Sequence, residues 1–226
     1  MKKTVKTVSV FLAAVLLLSV CVIAAAAKSP TSFIDVDADR WSYSDIEYAV
    51  EKGFLNGVGG GRFAPEQACT RAMVVTVLYR AEGKPEVPFS PVFTDVPSGE
   101  WYSDAVIWAQ SKGIVNGTTK TTFEPNSKVT REQLATFLLR YASFKQYGLE
   151  LCADLSAFTD SGKISKYAAE AMRWAVEIGL INGVTKKTIE PRGFATREQF
   201  AAIMVRFDKY PFAEGSGVET LIVPID

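Results

Sequence analysis

At three places in the chain, a threonine and an arginine stand directly ahead of an apolar helical run. The three arginines are Arg71, Arg131 and Arg197. A cation in the first turn of a helix lies against the positive end of the helix dipole, which costs roughly 0.5 kcal/mol. An unfavourable choice made three times indicates that each arginine has a compensating negative partner.

Two kinds of partner fit these arginines. One is an ion pair within the chain, and the candidate carboxylates are Asp35, Asp95, Asp160, Glu132 and Glu198. The other is an external anion, because helix-terminal N–H groups and a guanidinium fork together suit a carboxylate or a phosphate. Sequence physics alone leaves both open and favours the ion pair, since charges near helix ends are often simply paired.

The threonines are predicted helix caps. Gln133 follows Thr130 at the spacing of a capping box, and the same pair of residue types recurs at Thr196. Thr70 is also a predicted cap, but Met73 occupies its reciprocal position and cannot return a hydrogen bond.

A second arginine recurs nine residues after the first, near the predicted end of the same helix. Its three copies are Arg80, Arg140 and Arg206. A cation is favourable at that end of a helix, so dipole stabilisation or ion pairing is the expected role.

These residues belong to a unit that is written three times. Its anchors are the pairs Asn56-Gly57, Asn116-Gly117 and Asn182-Gly183, each preceded by a glycine and two apolar residues. From the glycine of each pair, a phenylalanine or isoleucine follows at +6, a proline at +8 and the two arginines at +14 and +23, without a gap. Such self-similarity indicates a repeat architecture.

Each unit is predicted to contain two helices. Apolar residues at helical spacing run up to a glycine, which is typical of a left-handed helix end, and these glycines are Gly53, Gly113 and Gly179. The second helix starts at the repeated threonine. One helix pair cannot bury its apolar stripe alone, so we predict an all-α fold in which three pairs close around a shared core, with pseudo-threefold packing.

Composition excludes several classes of function. Residues 1–27 are predicted to be a signal peptide, with Lys2, Lys3 and Lys6 ahead of an apolar run, so the exported chain begins near Lys28. Losing three of 25 basic residues leaves 22 against 25 acidic ones, about −3, which argues against nucleic-acid binding and against a membrane surface binder. The absence of histidine removes the commonest general base and the favoured zinc ligand, so we expect no metal and no cofactor.

Cysteines and aromatic residues give two further expectations. Cys69 and Cys152 remain after processing, and two separate buried thiols are the favoured interpretation over a disulfide. Trp41 and Trp101 precede the first helix of their units, where they either cap the core or offer a face for stacking on sugars. Tyrosine or tryptophan inside that helix is expected to pack between units, and these residues are Tyr48, Trp108 and Trp174.

The second unit, residues 93–142, resembles a surface-layer homology (SLH) repeat almost from end to end, and the other two units are similar to it. The shared hallmarks are Phe-x-Asp-Val, a tryptophan before the first helix, Gly-apolar-apolar-Asn-Gly, Phe-x-Pro and Thr-Arg-(Ala/Glu)-(Glu/Gln). The resemblance covers residues 33–207. It implies three helix-loop-helix repeats around a central three-helix bundle, with grooves between the lobes.

The resemblance also implies a function. Family members attach exported proteins non-covalently to the cell wall, through a secondary polysaccharide that is linked to peptidoglycan and often carries a pyruvate ketal. The pyruvate carboxylate would be the external anion of the arginines, and the early aspartate and tryptophan of each repeat would line the grooves. The ligand-binding residues implied are Arg131, Asp95, Trp101, Arg71, Asp35, Trp41, Arg197 and Asp160. The first three are expected to matter most, because Met73 and Tyr167 depart from the family pattern in the other repeats.

The expected organisation is therefore a signal peptide, three repeats and a tail, with bounds 1–27, 28–83, 84–143, 144–208 and 209–226. The expected function is a cell-surface binding module and not an enzyme, with a possible protein partner at the tail. Two alternatives are a glycan hydrolase using Asp95 and Glu132, and a small self-assembling surface-layer component. The hydrolase is disfavoured because its carboxylates recur in the repeats, which is more simply explained by a structural role. The surface-layer component is disfavoured because the chain has no assembly domain of the usual size.

Overall fold

The computed structural model describes residues 33–149 and 153–212, all within the unit formed by residues 33–226. The predicted signal peptide, Cys152 and the tail from residue 213 onward lie outside the described residues. The described chain is helical, as predicted. Its α-helices are α1 (Tyr43–Glu51), α2 (Arg71–Ala81), α3 (Ser103–Ser111), α4 (Arg131–Phe144), α5 (Ala169–Glu177) and α6 (Arg197–Lys209).

Short elements complete the architecture. Two 3₁₀ turns, Ser161–Lys163 and Lys166–Ala168, lead into α5. β-pairing within the described residues is limited to isolated bridges between single residues. No helix in the described ranges is both long and apolar enough to span a membrane.

Local sequence signals place the helix ends where they were predicted. The first helix of each repeat is followed by a glycine in the left-handed region, with φ of 71°, 69° and 70° at Gly53, Gly113 and Gly179. The second helices carry the predicted threonine caps, with complete capping boxes on α4 and α6. On α2, Thr70 accepts a hydrogen bond from the Met73 N–H, and the methionine returns none.

The helices pair between repeats. The first helix of a repeat packs against the second helix of the preceding repeat, so α3 lies on α2 and α5 lies on α4. The pairing closes on itself because α1 packs against α6. A short hydrogen bond of 2.6 Å from the Tyr48 hydroxyl to Asp208 joins this last pair, which links the first repeat to the third.

A ring of backbone hydrogen bonds joins the three chain segments just ahead of the second helices. The Cys69 N–H donates to Ala195 O, the Ala195 N–H to Val129 O, and the Val129 N–H to Cys69 O, at 2.8, 3.0 and 2.9 Å. The cyclic order is compatible with pseudo-threefold packing. That symmetry, and its central three-helix bundle, stay predictions, because the closest packing joins helices in pairs.

The hydrophobic core is continuous across the repeats. The apolar residue that begins each Phe-x-Pro segment is fully buried, at Phe63, Phe123 and Ile189. Cys69 lies in the same core as a free thiol, and burial raises its pKa to about 12. Cys69 therefore behaves as a small apolar residue, as the interpretation of separate thiols predicted for it.

Candidate functional site

The arginine after each threonine connects its own repeat to the next one by hydrogen bonds. Arg71 donates from Nε to Phe123 O at 2.7 Å and from Nη2 to Asn116 O at 2.8 Å, and both carbonyls belong to the second repeat. Its guanidinium also lies over the Phe123 and Phe137 rings, 4.5 and 5.2 Å from their centroids. The side chain is thereby held on two sides by carbonyl dipoles and aromatic faces.

The other two arginines repeat this arrangement in cyclic order. Arg131 donates to Ile189 O and Asn182 O of the third repeat at 2.8 and 2.6 Å. Arg197 donates to Phe63 O and Asn56 O of the first repeat at the same two distances. The three side chains are equivalent ties around the ring of repeats.

Burial of these arginines decides what they can do. Arg71, Arg131 and Arg197 are 5%, 6% and 4% exposed, and burial lowers the pKa of each guanidinium, that of Arg71 to about 10. They stay protonated at neutral pH. None forms an ion pair with a carboxylate among the described residues. In the structure, each arginine is therefore partnered by two backbone carbonyls. This partner is neither a carboxylate of the chain nor an external anion, which were the two partners that the sequence suggested.

The early aspartates hold the same Phe-x-Pro segments from the other side. Asp95 accepts hydrogen bonds from the Phe123 and Glu124 N–H groups at 2.8 and 2.7 Å. Asp35 does the same for Phe63 and Ala64. Asp160 accepts hydrogen bonds from the Ile189 and Glu190 N–H groups of the third segment, both at 2.9 Å.

These carboxylates stabilise a strained backbone. The middle residue of each segment has a positive φ although it is not glycine, with 57° at Ala64, 57° at Glu124 and 48° at Glu190. Such conformations cost on the order of 1–3 kcal/mol unless the surroundings impose them. Two N–H donors converging on one carboxylate supply that compensation.

Acid should weaken the Asp160 clamp. Burial raises the pKa of Asp160, but the hydrogen bonds from Ile189 and Glu190 lower it by more, so the net pKa is below its usual value. A lowered folded-state pKa contributes stability above the unfolded pKa of about 3.9, and this contribution is lost as pH falls through the folded pKa. We expect Asp160→Asn to lower the free energy of unfolding by about 1.5 kcal/mol at pH 7.

Urea unfolding of the unaltered chain and Asp160→Asn across pH 7 to 2.5 measures this. The stability gap should be constant above about pH 4 and shrink below it. A gap that stays the same down to pH 2.5 would show that the ionised carboxylate is not what stabilises the segment.

A large groove opens beside Arg71, and we call it the Arg71 groove. It measures about 880 Å³ and takes its walls from all three repeats. The residues that give it chemical character are Arg71, Gly117, Thr118, Arg140, Lys166 and Tyr167. Glu170 is the carboxylate among its lining residues, so cations outnumber acids there.

The repeats supply related surfaces elsewhere. Arg140 is close enough to Arg71 for the two cations to repel, and the same holds for Arg206 with Arg131 and for Arg80 with Arg197. By analogy with the Arg71 groove, we call the surfaces around the Arg131–Arg206 and Arg197–Arg80 pairs the Arg131 groove and the Arg197 groove. Each combines a buried arginine of one repeat with the Asn-Gly turn and second arginine of the next.

The pre-helix aromatic residues are exposed. Trp41, Trp101 and Tyr167 keep 60%, 57% and 50% of their surface accessible, which leaves ring faces available for stacking on sugars. The in-helix aromatics are different, because Trp108 and Trp174 are buried. Trp108 meets Tyr79 of α2 at 5.7 Å between ring centroids, which confirms the predicted packing between units.

Glutamates at the start of α4 and α6 secure two of these aromatic residues. Glu132 accepts hydrogen bonds from the Ser165 N–H and hydroxyl at 2.9 and 2.8 Å and from the Tyr167 hydroxyl at 3.4 Å. Glu198 similarly accepts hydrogen bonds from Arg40 and Ser42, the residues on either side of Trp41. Repeat one has Ala72 at this place, so Trp101 has no equivalent carboxylate anchor.

The site residues predicted first do not form one cluster. Asp95 accepts a hydrogen bond from the segment whose carbonyl binds Arg71. The Arg131 side chain instead donates to carbonyls within residues 182–190 and lies near Arg206. Trp101 lies two residues ahead of α3, which packs on α2. Sequence reasoning assigned residues to grooves repeat by repeat, whereas the grooves are built across repeats.

Two groove residues were not singled out for binding from the sequence. Arg140 was assigned to the helix dipole, and Lys166 was not considered. The repeated position of Arg140 was the available signal, but its surroundings depend on how neighbouring repeats pack. In the described ranges, no group of three or more acidic or cysteine side chains is placed to hold a metal ion.

Comparison with known proteins gives a consistent family match. The sequence profile of the S-layer homology domain matches residues 32–72, 92–135 and 157–201. The chain is 31% identical to an S-layer protein of Bacillus thuringiensis subsp. finitimus over 88% of its length, and 30% identical to a surface-layer 125 kDa protein of Lysinibacillus sphaericus over 71%. It is also 30% identical over 85% of its length to an amylopullulanase of Thermoanaerobacterium thermosulfurigenes.

These matches cover a limited part of each relative. The chain spans 24% of the Bacillus thuringiensis protein, 13% of the Lysinibacillus protein and 10% of the amylopullulanase. The similarity to an enzyme therefore concerns a tenth of that enzyme.

Proposed function

The chain belongs to the S-layer homology domain family, and we propose that it anchors non-covalently to the bacterial cell wall by binding an acidic secondary polysaccharide. Its place at the cell surface follows from the family and from its surface-layer relatives. The proposal concerns the ligand, which is a polymer attached to peptidoglycan and bearing carboxylates such as pyruvate ketals.

The Arg71 groove carries the proposal. It brings three cations, Arg71, Arg140 and Lys166, around a cavity of about 880 Å³ that also offers the Tyr167 ring and the Thr118 hydroxyl. Its volume suits a ligand of a few sugar units. Cations recognise the carboxylate, the aromatic ring stacks on the apolar face of a sugar, and the hydroxyl exchanges hydrogen bonds with the sugar's own hydroxyl groups.

The residues implied by the family resemblance keep different proposed roles. Trp41 and Trp101 offer sugar-stacking faces on the other grooves, as Tyr167 does here. The buried arginines would place positive charge beneath a bound anion, where it acts over short distances in a low dielectric, and the aspartates would hold the neighbouring Phe-x-Pro segments in position. These residues are Arg71, Arg131, Arg197, Asp35, Asp95 and Asp160.

The structure gives no support to the alternative of a glycan hydrolase. A hydrolase of this kind needs two carboxylates flanking one scissile bond. Asp95 is occupied by two backbone N–H groups, and Glu132 by Ser165 and Tyr167. We therefore propose a binding module, and the predicted protein partner at the tail stays a prediction.

Sedimentation with purified sacculi tests the proposal. Residues 28–226 are mixed with sacculi before and after chemical removal of the secondary polysaccharide, and the bound fraction is measured in the pellet. We expect the chain to pellet with intact sacculi and to remain in solution with stripped ones. Equal binding to both preparations would contradict the proposal and point to peptidoglycan itself.

A further inference from the structure

The three grooves differ in which cations remain unpaired. We infer that the Arg71 groove is the principal site for the acidic polymer, and that Arg140 and Lys166 make the direct contacts with its carboxylate. This inference rests on the proposed function and assigns the contact to residues outside the family motifs found in the sequence.

Arg140 differs from its counterparts in the other repeats. Arg80 donates to Phe54 O at 3.5 Å and Arg206 donates to Leu180 O at 3.1 Å. Within residues 33–149 and 153–212, the guanidinium of Arg140 has neither a hydrogen bond nor an ion pair. It is half-buried in the wall of the Arg71 groove. An unpaired cation in a partly desolvated wall binds an anion more strongly than a fully hydrated one would.

Arg71 is not the residue that contacts the carboxylate of the polymer directly. Its Nε and Nη2 already donate to two carbonyls, and its ring contacts with Phe123 and Phe137 fix the guanidinium plane. It contributes positive charge beneath the site. Arg140 lies near it and keeps its donors available.

Lys166 provides the second free cation, and the other grooves lack its equivalent. The corresponding position is Glu100 in the second repeat, which is acidic, and Arg40 in the first. Arg40 is already neutralised by Glu198 at 2.7 Å and Glu66 at 3.0 Å. The side chain of Lys166 forms no hydrogen bond or ion pair with any other residue that the structure describes, and only its backbone carbonyl is engaged, by the Ala169 N–H.

The rim of the Arg71 groove is also more suited to a sugar. Thr118 lines it, and the Thr118 hydroxyl lies 3.2 Å from that of Thr122, which in turn lies 2.6 Å from that of Thr119. The corresponding residue of the Arg197 groove is Val58, which has no hydroxyl. Charge and rim therefore favour the same groove.

A matched set of arginine variants tests the assignment. The polysaccharide released from sacculi is titrated calorimetrically into the exported chain and into Arg140→Gln, Arg80→Gln and Arg206→Gln, after circular dichroism has verified that each variant is folded. We expect Arg140→Gln to weaken binding about tenfold and the two controls to change it less than threefold. Equal losses in all three variants would overturn the inference and indicate equivalent grooves.

A charge reversal at an exposed position gives an independent readout that does not depend on a half-buried side chain. Lys166→Glu gives the Arg71 groove the residue type that Glu100 supplies in the second repeat. We expect at least a tenfold loss of affinity, and Lys163→Glu, on the neighbouring 3₁₀ turn, should change affinity much less. If the parent chain binds the polymer and both Lys166→Glu and Arg140→Gln bind it with unchanged affinity, this inference is overturned while the proposed function stands. A parent chain that does not bind the polymer overturns the proposed function and this inference with it.

Discussion

Replacing Arg131 with alanine is expected to lower the free energy of unfolding by about 3 kcal/mol, before any effect on ligand binding. The substitution removes two hydrogen bonds from a charged donor, to Ile189 O and Asn182 O, and leaves both carbonyls to find new partners. Hydrogen bonds to charged groups contribute roughly 1.5–3 kcal/mol each, and losses are not additive. The affected contact joins the second repeat to the third.

Urea unfolding followed by circular dichroism measures this loss. Arg192→Ala is the matched control, because Arg192 is an exposed arginine of the third repeat and takes part in no hydrogen bond or ion pair in the part of the chain that the structure describes. We expect the control to lie within about 0.5 kcal/mol of the unaltered chain. An Arg131→Ala chain of normal stability that has lost polymer binding would contradict the structural role and restore Arg131 as a ligand contact.

Gly117→Ala is expected to have a comparable effect for a steric reason. A Cβ at Gly117 would lie 2.6 Å from Phe93 Cε1 and would also collide with the carbonyl oxygens of Thr119 and Thr122. Two of the three obstacles are backbone atoms, so the turn itself must move. Overpacking of this kind costs about 1–3 kcal/mol or more, and we expect a loss of about 3 kcal/mol.

The same substitution should damage the Arg71 groove. Gly117 lines that groove, and the neighbouring Asn116 O is one of the two acceptors of Arg71. Gly162→Ala is the control, since a Cβ there meets no atom within 4 Å and Gly162 does not have a left-handed φ. Thermal unfolding of both variants suffices, and a Gly117→Ala chain as stable as Gly162→Ala would contradict the described turn.

Features set by neighbouring residues could be predicted from the sequence. The capping boxes at Thr130 and Thr196 and the left-handed glycine at Gly113 each depend on a few consecutive residues. The all-α class followed from apolar spacing within single helices. Each of these signals is contained in one stretch of chain, so one sequence is enough to identify it.

Features set by packing between repeats could not be predicted in the same way. The pairing of α1 with α6 depends on the order in which repeats close, and helical periodicity does not record that order. The acceptors of Arg131 are backbone carbonyls, which every residue has, so no residue type in the sequence indicates them. Carboxylates are the partners that a sequence offers for an arginine, but Asp95 is bound to backbone N–H groups instead.

The same limit explains why Arg140 was assigned to the helix dipole. Arg80, Arg140 and Arg206 are indistinguishable in the repeat pattern, and only the folded surroundings leave one of them unpaired. Differences between repeats at single positions, such as Lys166 against Glu100, gain meaning once the groove they line is known.

The central claim is that the chain recognises an acidic wall polymer through its carboxylates. The most direct measurement repeats the sacculus sedimentation after mild acid has removed the pyruvate ketals and left the sugar chain attached. The account predicts that binding falls to the level of polymer-stripped sacculi, because the cations of the Arg71 groove then lack their anion. Undiminished binding to the ketal-free polymer would contradict carboxylate recognition and show that the neutral sugar chain suffices.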